Sequence, residues 1–137
     1  MTYGRLKAAA KLFLIGDNEL PDDPEMLTAS VEMGFLQIAD KATALKLLTT
    51  GSPSQLIRQG PGGTYVRMPD LPTSDSDIMD IDNELCPALA RYMASHVSRE
   101  KAAYHTSEAE KIIRGYESKV RVYIEERESE GEYANVE

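Results

Sequence analysis

The stretch from Arg67 to Leu85 sets the strongest limit on what this chain can fold into. It places six acidic residues and two prolines in nineteen positions. Pro69 and Pro72 lack an amide hydrogen and fix their backbone, so a regular helix cannot pass through them. Asp75, Asp77, Asp80 and Asp82 have the look of hard-cation ligands. The segment is therefore a metal loop, a flexible linker or a rigid approach to a helix, and it divides the chain into two helical halves.

Before it, residues 2 to 15 carry Tyr3, Leu6, Ala10, Phe13 and Leu14 at helical spacing, with Arg5, Lys7 and Lys11 pointing elsewhere. Gly16, Asp17, Asn18 and Pro21 end that helix. A second helix starts at Asp23-Pro24, where the carboxylate caps free amides and the proline's missing donor costs nothing. Leu27, Val31, Phe35 and Ile38 form its apolar stripe. Gly34 within it is expected to permit close packing on a neighbouring backbone.

The pattern changes at Ala44. Leu45 to Thr50, then Gly51, Pro53 and the run Gly60-Pro61-Gly62-Gly63, lead to Thr64 to Met68 with strand composition. These predict two or three antiparallel strands over about 44–69. Beyond the 69–84 connector, Leu85, Leu89, Tyr92, Met93, His96 and Val97 define a third helix. The pattern pauses at Ala102 to His105. Thr106-Ser107 is the expected cap of a fourth helix through Ala109, Ile113, Tyr116, Val120 and Tyr123. Glu110 with Arg114, and Glu117 with Arg121, have the acid-before-base spacing that supports a helix. From Glu125 to Glu137 six glutamates and Gly131 predict fraying into an acidic tail. Tyr133 and Val136, isolated in that tail, suit ordering on a partner. The expected fold is mainly α: four helices, a small β element between the second and third, one domain over 1–124, and a tail over 125–137.

The net charge of −8, from 23 acidic and 15 basic residues, argues against a general nucleic-acid binder. It suits a surface past which DNA slides without sticking. One cysteine, Cys86, excludes an internal disulfide. The longest apolar run, Leu12 to Ile15, is far too short to span a bilayer. Lys11 interrupts the stretch that resembles a signal peptide.

Chemical motifs are weak throughout. A calcium loop needs acids at its first, third and fifth positions and glycine at the sixth. Starting at Asp75 puts Met79 fifth and Asp80 sixth; starting at Asp80 puts Leu85 sixth. Turn and capping roles fit these aspartates better. Cys86, His96 and His105 lie ten and nine residues apart, which matches no structural zinc pattern. Cys86 before Pro87 near a helix start could have a lowered pKa, but a small buried hydrophobe is the plainer role. Gly60 to Gly63 lacks the Lys-Ser or Lys-Thr of a phosphate cradle. Tyr65, Tyr104 and Tyr133 are candidate interface aromatics. The expectation is no enzyme, no cofactor and no metal.

The second half also carries Tyr65 to Pro72, Ile78 to Leu85, Pro87 to Ser95 and Ala109 to Tyr116 in an order that resembles the head–tail connector (adaptor, head-completion) proteins of tailed bacteriophages. The likeness spans the chain in architecture and residues 65 to 123 in pattern, and rests on packing motifs. Pro87 at the helix start and the long 51–63 turn depart from it. It implies a ring, twelve subunits being usual, docked under the portal in the virion neck and assembled in the host cytoplasm. That ring extends the DNA channel, without sequence-specific DNA binding, and meets a downstream tail or stopper protein. Carried onto this chain, the portal-contact residues are Val122, Tyr123, Glu126, Tyr133 and Val136. The tail-side or channel loop is Gln55, Arg58, Gly60, Gly62 and Gly63. The alternative is a small cytosolic helical regulator or binding module, whose acidic tail takes a basic partner.

Overall fold

A computed structural model describes residues 1–42, 56–59 and 65–134, with side chains through Lys119 apart from Arg58, Gln59 and Tyr65. Four helices are present: α1 (Tyr3–Phe13), α2 (Pro24–Lys41), α3 (Cys86–Val97) and α4 (Ala102–Ala134). Between α2 and α3 lie two short strands, β1 (Leu56–Gln59) and β2 (Tyr65–Arg67). They pair antiparallel, with an irregularity between Leu56 and Arg58. The mainly helical fold with a small inserted sheet is the one expected from the sequence. The third candidate strand, Leu45 to Thr50, lies outside the described residues.

The bundle is built around α3. Ala88, Leu89 and Ala90 are consecutive and all fully buried, as are Met93 and Ala94. A helix apolar on every side has neighbours on every side, and α1, α2 and α4 all pack against it. Tyr3, Leu6, Ala10 and Leu14 line the inner face of α1, and Leu27, Val31, Phe35 and Ile38 that of α2.

Local chemistry sets the helix ends. Thr2 Oγ1 accepts the Arg5 amide at 3.3 Å to open α1. Gly16, at φ 81°, takes the left-handed conformation that ends the turn after it. Asp23 accepts the Glu25 amide at 2.9 Å, with Pro24 in the first turn of α2. Asp82 caps a single 3-10 turn, Asn83–Leu85, before α3 begins with Pro87 in its first turn.

Four sequence expectations change. α4 begins at Ala102, not after Thr106-Ser107, because Ser98 Oγ accepts the Lys101 amide at 2.9 Å and His105 N–H reaches Lys101 O. At its other end the α4 backbone stays helical to Ala134 rather than fraying from Glu125. Gly34 makes room for a side chain rather than a backbone: a methyl there would collide with Leu89 Cδ1. Lastly, Glu110 turns to Lys41 of α2, at 3.7 Å, rather than along its own helix to Arg114.

Candidate interaction surfaces

The acidic connector folds as a strap across the N-terminus. Tyr3 N–H donates to Asp77 O (2.8 Å), Gly4 N–H to Asp75 O (3.0 Å) and Met79 N–H to Met1 O (2.9 Å). Thr2 and Ile78 form an isolated antiparallel bridge. In an extended segment alternate residues share a face. Met79 and Ile81 therefore point inward, at 3% and 8% exposure, while Ile78 points out at 71%. Of the two isoleucines in the strap only Ile81 packs on the core, and Met79 takes the place that Ile78 leaves.

Each candidate cation ligand answers to its own donor. Asp77 accepts four hydrogen bonds from the amides and hydroxyls of Thr73 and Ser74. Those hydrogen bonds hold its pKa down at about 2. Asp80 accepts from the Arg67 guanidinium at 2.8 Å and the Asp70 amide at 2.9 Å. Asp75 pairs with Lys7 at 2.6 Å. Asp82 accepts the Glu84 amide and, at 2.7 Å, the hydroxyl of Tyr116 on α4. The strap thus ties β2, α1 and α4 together. Among the described residues no group of three or more His, Cys, Asp or Glu is arranged around a common ion site.

The remaining titratable candidates are packed into the helices. Burial pushes the Cys86 thiol up, against the lowering expected from a helix start. His96 sits between Ser30 Oγ and Gln37 Oε1, both at 2.7 Å. A neutral ring satisfies both, accepting from the serine and donating to the amide. Near the end of α1, Arg91 lies 3.7 Å over the Phe13 ring and 3.1 Å from His105 Nδ1. The guanidinium can only donate, so His105 Nδ1 accepts. Its buried Nε2 has no partner among the described residues. Beside this cluster, Asp17 accepts from Ser98 Oγ (2.6 Å) and the Arg99 amide (2.9 Å). These hydrogen bonds, with that of the Asn18 amide, pull it down to about 2. No nucleophile, base and orienting acid converge among these groups.

A cleft of about 710 Å³ separates α1 from α2, with Tyr3, Lys7, Leu27, Thr28, Leu71 and Pro72 among its walls. Its lining is mainly apolar, and Lys7, Asp22, Glu25, Glu32 and Asp75 also line it. The remaining surface has exposed apolar side chains at Leu12, Ile15, Met26, Met33 and Leu36, and Tyr104 is also exposed. The first five were not singled out as surface residues from the sequence. The signal was present, since they continue a helical period on the side opposite the core stripe.

Of the portal-contact candidates, Val122, Tyr123, Glu126 and Tyr133 all lie on α4, whose backbone alone is described there. Val136 lies outside the described residues. Of the loop candidates, Arg58 lies in β1 opposite Val66, and Gln55, Gly60, Gly62 and Gly63 are outside the described residues.

No protein-family model, curated protein or solved structure matches this chain.

Proposed function

We propose that this protein is a structural connector of a tailed bacteriophage, forming a ring under the portal that joins the DNA-filled head to the tail. The observation that carries the reading is α4. At about 1.5 Å per residue, its 33 residues extend roughly 50 Å. On the same rise, the 18 residues of α2 and the 12 of α3 cover roughly 27 and 18 Å. The body helices are too short to cover α4 along its length. Its C-terminal part carries Val122, Tyr123 and Tyr133 among glutamates, and serves as an arm for a partner.

The order of elements supports the same role. Two helices, a two-stranded sheet, a proline-containing strap, then a short and a long helix follow the connector pattern. On this reading the Gly/Pro-rich stretch from Gly51 to Gly63 supplies the tail-side or channel element. In the particle the protein's work is mechanical: the helical body is the ring, α4 reaches the portal, and an acidic surface repels passing DNA.

Gene context tests this cheaply. Portal, terminase and capsid genes are expected beside the gene for this chain. Co-purification is the direct test. The full chain is expected to bind its portal, and a chain ending at Arg121 is expected to lose that binding while its circular dichroism keeps the α1–α3 helical signal. Portal binding unchanged by the truncation would refute α4 as the arm. A chain that binds neither portal nor tail protein, in a genome without those genes, would favour the cytosolic regulator.

A further inference from the structure

The outward faces of α1 and α2 are a matched pair. On α1 and the turn that follows it, Arg5, Ala8, Leu12 and Ile15 succeed one another at steps of three, four and three, and all are exposed. On α2, Met26, Ala29, Met33 and Leu36 have the same steps and are also exposed. Each set spans eleven residues, roughly 15 Å at helical rise. Steps of three and four are those of a seam that packs against another helix. The large apolar members of both seams are 44–77% exposed.

Their charges are opposite. The α1 seam includes Arg5 and is edged by Lys11, and α1 contains no acidic residue. The α2 seam is edged by Glu25 and Glu32. Among the described residues none of these four charges sits in an ion pair. Within one chain the two seams stay apart, because α1 and α2 each lean their inner faces on α3.

We infer that the α1 seam of one copy seats on the α2 seam of a second copy. Like seams would bring like charges together, whereas the unlike pair brings Arg5 and Lys11 toward Glu25 and Glu32 and covers both apolar stripes. Repeated head to tail, such a contact builds a ring where its rotation closes and a filament where it does not. That extension to a ring, unlike the pairing itself, rests on the connector reading.

Disulfide trapping tests it on the full chain. Leu12→Cys and Met33→Cys both fall at exposed positions, and the native Cys86 is buried and does not compete. Each variant alone is expected to stay at monomer mass under mild oxidation. An equal mixture is expected to form a cross-linked species of twice that mass. The double variant is expected to give a ladder beyond the dimer. Variants that link with themselves but not with each other would overturn the pairing, as would no linkage in the mixture. A double variant that stops at the dimer would keep the pairing and remove the ring. Portal binding without any cross-link would keep the connector role and remove this interface.

Discussion

The buried His105, the half-buried His96 and Gly34 show how single residues fix this fold. Burial lowers the pKa of both rings, and Arg91 lowers that of His105 further. Below the ordinary histidine value of 6.5 the unfolded chain therefore binds more protons than the folded one. Their contribution to stability is present above that pH and is lost as pH falls through the depressed values. Asp17 and Asp77, held at about 2, act in a separate window beginning near 3.8. Urea melts across pH should show stability declining from about 6.5 downward, well before the carboxylates titrate. A flat profile down to the carboxylate range would contradict the neutral rings. At Gly34, alanine would gain ~1 kcal/mol of helix propensity but overpack against Leu89 at a cost of ~1–3 kcal/mol. Gly34→Ala is expected to lower Tm, and a variant more stable than the parent would count against the close approach. The sequence signalled that Gly34 mattered, but not that the neighbour is a leucine fifty-five residues away.

Elements were legible where their determinants are local. Asp23-Pro24 and the Leu27 to Ile38 stripe place α2 because cap and stripe lie within the helix itself. The start of α4 was hidden because Ser98, which accepts the Lys101 amide just before it, is itself held by Asp17 from beyond the end of α1. The strap was half legible: its prolines and aspartates announced turns, but which isoleucine points inward depends on a bridge to Thr2. Two predictions belong to this scale. Arg67→Ala removes the guanidinium that ties β2 to Asp80 and is expected to cost about 1–3 kcal/mol, read by chemical denaturation. A loss within error would mean that the strap does not depend on that tie. Because the four strap aspartates serve separate donors, adding calcium is expected to leave Tm unchanged relative to a chelator. A rise of several degrees would restore the cation site.

For the molecule as a whole, α3 acts as a central post, α1 and α2 present outward seams of opposite charge, and α4 extends past both neighbours. The helical class and the inserted sheet could be read from periodicity and from the Gly/Pro-rich centre, because both reflect burial within one chain. Surfaces between chains could not. Leu12, Ile15, Met26, Met33 and Leu36 read as ordinary helix residues until the core stripes are known to lie opposite them. The portal and loop candidates rest on the resemblance to connectors.

The mass of the assembled species tests most directly the proposal that this chain is a ring-forming connector. Light scattering, or electron microscopy of particles, should find a closed multimer of this protein docked beneath the portal. A chain that remains monomeric with both portal and tail proteins present would contradict it.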